Sequence, residues 1–311
     1  MSELRRRKPS NGDATTSHDT NDDKHKKLNE SIPSILRAWV SIFNLVSQKV
    51  PSIQIFGLDF TFAVASALFL ATYRGIAYLT MIYILGWPVH LRTTEAVSSV
   101  VGMTHSILLL TPLFLALISQ PYRPSSKLTD HPQWYQSIVS ALLQFTTGYM
   151  MQDMILTYFV CQRGETNILT KSDYLIVGHH LATTAYMTSC RVVGAGHLGA
   201  MILMYTGEFT NPIQNLEMVS RNGNELGNFG LSAYNHELLK IVFAATYVVF
   251  RSLIGPVCAV HLTYDIGFTT AGRENVPRGV FLFWSAASWG VLIGSIPWII
   301  DTAEEVRVYF E

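Results

Sequence analysis

Two adjacent histidines, His179 and His180, stand in an apolar run, Tyr174-Leu-Ile-Val-Gly-His-His-Leu-Ala-Thr-Thr-Ala-Tyr-Met187. An imidazole gains and loses its proton near neutral pH, so it can serve as general acid, base or nucleophile. Four more ionisable residues, His105, Asp153, Glu208 and Arg251, lie inside or at the ends of other apolar segments. At such depth in a bilayer each is costly unless something polar meets it, and each therefore marks a functional position. Together they supply bases, two acids and a permanent cation. That set suits acid/base chemistry on a lipid, or the holding of a charged headgroup.

Each residue also has a plainer reading. Arg251 is the expected counter-ion for Asp153 or Glu208, and an Asp153–Arg251 pair could serve only to fix helix register. His105 alone reads as a hydrogen-bonded core histidine. Neighbouring residues on a helix point about 100° apart, so one of His179 and His180 is expected to face a cavity while the other bridges helices. His197, after Gly194-Ala-Gly196, reads as structural. Gly148, Gly178, Gly194 and Gly196 suit close helix packing better than phosphate binding, because no glycine-rich loop leads from strand to helix. Cys161, Cys190 and Cys258 stand singly, which argues against a disulfide framework or a zinc cluster. No metal is expected, and a di-iron hydroxylase or desaturase is disfavoured because the chain has one histidine pair with no other histidine within a turn.

These residues need apolar helices to position them. The chain is 49% hydrophobic and 14% charged with no net formal charge, which gives no reason to expect a nucleic-acid partner. A spanning helix takes about 20 apolar residues, and seven segments are read as spans: 54–84, 95–119, 134–160, 174–190, 192–214, 237–262 and 278–300. Asp59 and Arg74 interrupt the first, which is still read as one span. Trp87, Trp134, Trp284 and Trp298 lie near span ends as interface anchors. Seven crossings place the termini on opposite faces. Residues 1–30 are polar and read as a disordered tail, without the apolar core of a cleaved signal peptide behind Arg5-Arg-Arg-Lys8, so the first span is expected to act as the membrane signal. The basic tail favours a cytosolic amino terminus, whereas the sequon Asn29-Glu-Ser31 would require a lumenal one. Residues 31–50 carry apolar positions at helical spacing and read as an interfacial amphipathic helix. Leu216–Asn235 reads as the one long loop.

In order along the chain come His105, Asp153, Lys171-Ser-Asp-Tyr-Leu-Ile-Val-Gly-His-His180, Gly207-Glu-Phe-Thr-Asn-Pro-Ile-Gln-Asn215 and Arg251. This order resembles the TLC-domain family of membrane proteins, which includes the ceramide synthases. The resemblance covers residues 90–305, leaving 51–89 as a preceding span. It implies an all-helical protein of the endoplasmic reticulum or a related endomembrane, with a six-helix barrel around a lipid-accessible cavity. In ceramide synthases the paired histidines are required to join a fatty acyl group from acyl-CoA to a sphingoid amine; the corresponding residues here would be His179 and His180. Where those enzymes carry Asp-x-x-Asp, this chain has Glu208-Phe-Thr-Asn211, and it lacks a homeobox-like segment. It therefore resembles the non-synthase branch.

The resulting expectation is a protein of lipid homeostasis that binds, senses or moves membrane lipid through a polar intramembrane site. The alternative is an acyl-CoA-dependent N- or O-acyltransferase. In that case His179, His180, Asp153 and Glu208 would form the catalytic set, and His105, Arg251, Asn211 and Asn215 would hold the lipid. No cofactor is expected, acyl-CoA being a substrate. Homo- or hetero-oligomerisation in the membrane is left open.

Overall fold

The computed structural model describes residues 32–121, 123, 125–160, 171–227 and 233–311. The tail, the sequon at Asn29 and Cys161 lie outside the described residues.

Helix α1 (Ser34–Lys49) has the expected amphipathic spacing. Its inner face is not free for lipid. Leu36 is fully buried, Trp39 meets Phe145 edge-on at 5.0 Å, and Phe43 meets Phe62 at 5.2 Å. Ile42 and Leu45 remain exposed on the outer face.

The stretch 54–84 is not one helix. It opens with a two-stranded hairpin, β1 (Gln54–Ile55) and β2 (Leu58–Asp59), paired Gln54 to Asp59 and Ile55 to Leu58. Phe56 and Gly57 both take left-handed φ values, 51° and 79°, the backbone that matches the twist of a two-residue hairpin loop. Asp59 then starts α2 (Thr61–Leu79) by accepting hydrogen bonds from Thr61 N at 2.9 Å and Thr61 Oγ1 at 2.5 Å. A π turn, Thr80–Ile84, carries α2 to its end.

The other helices are α3 (Leu91–Ile118), α4 (Gln133–Met154) with a π extension Ile155–Val160, α5 (Lys171–Val193), α6 (His197–Glu208), α7 (Asn211–Glu225), α8 (Ala233–Val249), α9 (Gly255–Phe268), α10 (Thr270–Asn275), α11 (Arg278–Gly294) and α12 (Ile296–Phe310). A third π turn, Phe250–Ile254, joins α8 to α9. Gly255 N donates to Phe250 O, one residue further back than in an α-helix. Pro256 has no N–H and crowds the carbonyl one turn earlier, so widening the helix here relieves the clash.

Among the described residues four helical segments are long and apolar enough to cross a membrane: Thr61–Ile84, Leu91–Ile118, His236–Phe268 and Arg278–Val308. Helices α4 and α5 are of spanning length but carry more polar residues. The expected span 192–214 is divided. Gly194 and Gly196, both left-handed, break the chain before α6, and the twelve-residue α6 ends at Glu208. The expected loop after Leu216 is helical as far as Glu225.

Packing runs in a circuit through α2, α3, α7, α8, α9, α11, α5 and α4 back to α2, with α6 against α3, α5 and α9. Close approach at two glycines fixes this circuit. A Cβ on Gly148 of α4 would strike the Ala63 carbonyl of α2, and one on Gly196 would strike the Trp284 ring. Trp284 is only 1% exposed and donates to Ser189 Oγ at 2.7 Å. It is a packing residue of the bundle, and Trp87 is likewise buried, so neither is the interface anchor expected from the sequence.

Candidate functional site in the helical bundle

Among the described residues, three groups of polar side chains bear on the sequence-chosen positions. In the first, Asp153 of α4 meets Arg74 of α2, with Nη2 at 3.6 Å from Oδ1. Thr157 and Ser98 donate to the same oxygen at 2.9 and 3.2 Å. The guanidinium also donates to Thr157 Oγ1 at 2.7 Å and to Ser98 Oγ. Asp153 and Thr157 fall on one helix face because they are four residues apart. The Asp153–Arg251 pair expected from the sequence is therefore corrected. Arg74 supplies the counter-ion, because α2 and α4 are pressed together at Gly148, whereas Arg251 lines the cavity and makes no ion pair with Asp153.

The second cluster centres on Glu208, the last residue of α6 and 4% exposed. Its Oε2 accepts from Ser106 Oγ at 2.6 Å and from Asn211 Nδ2 at 2.9 Å. His105 Nδ1 is 3.6 Å from the same oxygen. That histidine is fully buried, stacked on Tyr149 at 3.8 Å and on Phe145 at 5.1 Å. Ser106 and His105 are consecutive on α3, and Asn211 opens α7, so Glu208 clamps three helices. Asn215, one turn further along α7, donates to Asn211 O at 2.9 Å.

The third group lines a cavity of about 530 Å³. His179, Glu208, Asn211, Gln214, Asn215 and Arg251 provide polar atoms, while Met150, Leu175, Met218, Val291 and Trp298 provide apolar wall. A smaller pocket of about 100 Å³ adjoins it, sharing His179, Glu208 and Arg251 and otherwise lined mostly by side chains such as Met187, Leu203, Phe250 and Leu292. Both histidines touch the larger cavity. They do so because it wraps the end of α5 rather than facing one side of it. Their rings are 5.8 Å apart, and His180 also turns toward Asp153, its Nδ1 3.9 Å from Oδ2.

All eight sequence-chosen residues thus fall into linked clusters around one cavity: His179, His180, Glu208, Asn211, Asn215 and Arg251 line it, and Asp153 stands behind His180. His105 stands behind Glu208 and lines neither pocket. Sequence reasoning missed Arg74, Ser98, Ser106, Tyr149 and Gln214. Arg74 carried a usable signal, since a lone arginine in an apolar helix requires a partner. The serines carried none.

His197 and His131 form a separate pair near one end of the bundle, rings 5.1 Å apart and both near Tyr135. In the loop before α4, His131 contacts Gln120 Oε1 at 3.2 Å and Ser126 Oγ at 3.1 Å through its two nitrogens. Burial holds His131 below its ordinary 6.5, with Asp130 opposing the shift.

The chain matches the family model for the TLC domain over residues 95–301. It belongs to the TLC-domain family. That family is membrane-associated and lipid-related, and with four apolar helices the protein is an integral membrane protein. A TLC domain-containing protein of Arabidopsis thaliana, At5g14285, is 25% identical over 166 residues, 51% of this chain. The chain spans 59% of the length of that curated relative. No solved structure matches. The match begins at Glu95, so Arg74, the counter-ion of Asp153, lies outside the TLC domain itself.

Proposed function

We propose that this TLC-domain protein serves lipid homeostasis in the endoplasmic reticulum or a related endomembrane by binding a membrane lipid in the cavity between α5, α7, α8 and α11. One observation carries the reading: the 530 Å³ cavity joins a polar wall of His179, Arg251 and the α7 amides to an apolar one. Ligand sites fall in about this size range and place a few polar groups in a largely apolar lining. In the seven-pass topology that accompanies this reading, α4, α5 and the run from α6 into α7 would cross beside the four apolar segments.

Mass spectrometry of lipids retained by the full chain in mild detergent tests the proposal. The expected result is one lipid class enriched over the bulk membrane extract, and a changed amount or class for His179→Ala at equal yield. A retained profile that mirrors the bulk extract in both proteins would sink the reading.

Acyl transfer from acyl-CoA is the second reading, favoured by His179 lining both pockets and by His180 lying 3.9 Å from Asp153. His179 would take the proton from an attacking amine or hydroxyl as its new bond to the acyl carbon forms. The thioester C–S bond would break, and coenzyme A would leave as the thiol with that proton. Turnover of acyl-CoA with a panel of amine and hydroxyl lipids, lost in His179→Ala, is the outcome that would favour it.

A further inference from the structure

Arg74 neutralises Asp153, and this leaves Arg251 without a carboxylate. We propose that Arg251 is the anion-binding residue of the cavity, and that the lipid held there carries a phosphate or carboxylate headgroup. The inference rests on the reading that the cavity holds a lipid.

Arg251 lies within the apolar segment His236–Phe268. Its contacts are a 3.5 Å approach of Nη2 to Gly207 O and the Tyr247 ring, whose centroid is 5.5 Å from the guanidinium carbon. Among the described residues no carboxylate comes within ion-pair distance, and Nε is buried without a hydrogen-bond partner. The two acids able to reach this region are already committed. Asp153 is held by Arg74, Ser98 and Thr157, and Glu208 by Ser106 and Asn211 with His105 beside it.

A guanidinium stays charged at any pH a protein meets, and its planar fork fits two oxygens of a carboxylate or phosphate. In low dielectric an uncompensated cation strongly favours a bound anion. The surrounding groups agree with that demand. Tyr247 Oη is buried with no hydrogen-bond partner and lines the same cavity, as do His179 and the amide of Gln214. Glu208 also lines the cavity, so a second negative charge next to its carboxylate would be repelled. The anion therefore belongs on the α8 side. Phe250 and Leu292 line the adjoining pocket together with Arg251 and would give the acyl chain of such a lipid an apolar wall.

Native mass spectrometry of the full chain in mixed micelles with dioleoyl phosphatidic acid, oleic acid or dioleoylglycerol tests this. Phosphatidic acid or oleic acid should bind well above dioleoylglycerol, and which of the two binds tells phosphate from carboxylate. Arg251→Gln should lower that affinity about tenfold to a hundredfold, the worth of a lost charge-assisted hydrogen bond. Arg251→Lys, which keeps the charge but not the fork, should fall between. The wild-type preference needs no variant and decides the matter if Arg251→Gln does not fold. Equal binding of all three lipids, unchanged by Arg251→Gln, overturns the anion assignment and leaves the lipid-binding reading standing. Binding of none overturns both.

Discussion

Arg74 and Arg251 are two arginines inside one helical bundle, and the chain surrounds them differently. Arg74 is buried, and Asp153, Ser98 and Thr157 meet its charge at one nitrogen. Arg251 has a backbone carbonyl, a tyrosine ring and an open cavity. A cation neutralised by its own chain contributes to holding helices together. One left facing a cavity is available to something that is not part of the chain. Charge alone does not separate these roles; the location of the nearest carboxylate does.

The comparison breaks most directly at the paired end. Removing one partner of a buried ion pair costs about 3–5 kcal/mol, so Arg74→Gln and Asp153→Asn should each lower the thermal midpoint in detergent substantially. The double variant Arg74→Gln with Asp153→Asn should recover much of that loss, whereas Asp153→Asn with Arg251→Gln should recover none. Recovery in the second pair and not the first would return Arg251 to Asp153. Arg251→Gln alone should move the midpoint by less than half as much as Arg74→Gln.

A second, smaller effect tests what brings Arg74 to Asp153. Gly148→Ala forces a methyl into the Ala63 carbonyl, and overpacking of this kind costs about 1–3 kcal/mol. Gly178→Ala, with nothing within 4 Å of the added carbon, is the matched control and should leave the midpoint nearly unchanged. Equal losses in the two variants would mean that the contact between α2 and α4 does not set the pair.

Asn211→Asp sharpens the cavity side. It replaces a donor to Glu208 Oε2 at 2.9 Å with a second acid, and should cost about 1.5–3 kcal/mol, the worth of a hydrogen bond to a charged group. Thermal unfolding reads this, and a midpoint equal to wild type would show that the Glu208–Asn211 bond contributes little.

The smallest effect is expected away from both arginines. The native state favours neutral His131, because its proton affinity lies below the ordinary 6.5. The stability this gives is present above pH 6.5 and is lost as pH falls below it. His131→Gln should flatten the acid side of a midpoint-against-pH curve and leave the neutral side alone. An unchanged acid limb would remove His131 from the account.

Much of this arrangement was legible because ionisable residues in apolar segments are few. His179, Glu208 and Arg251 are found that way, and helical spacing finds α1. Choosing between Arg74 and Arg251 as the partner of Asp153 was not legible, since both sit in apolar segments and facing is decided by Gly148 packing far away in sequence. Helix α7 was hidden for another reason. Glu217, Ser220 and Asn222 are buried while Leu216 is partly exposed, so its polar side turns inward. Polar punctuation that marks a loop in a water-soluble chain here marks a helix lining a polar interior.

The π turn at Phe250–Ile254 lets the long helix from α8 through α9 carry one residue more than a continuous α-helix would. Beyond it, Gly255 and Leu262 are keyed to Leu292 of α11 and Gly199 of α6; within it, Arg251 is presented to the cavity. A π turn holds one residue more than an α turn. Deleting one residue between Phe250 and Ile254 would close the turn as ordinary α-helix while the helices on either side kept close to their present facing. A single-codon deletion at this point would therefore act locally on aim: α8 and α9 would keep their neighbours, while the one turn that presents the guanidinium to the cavity narrowed beneath it.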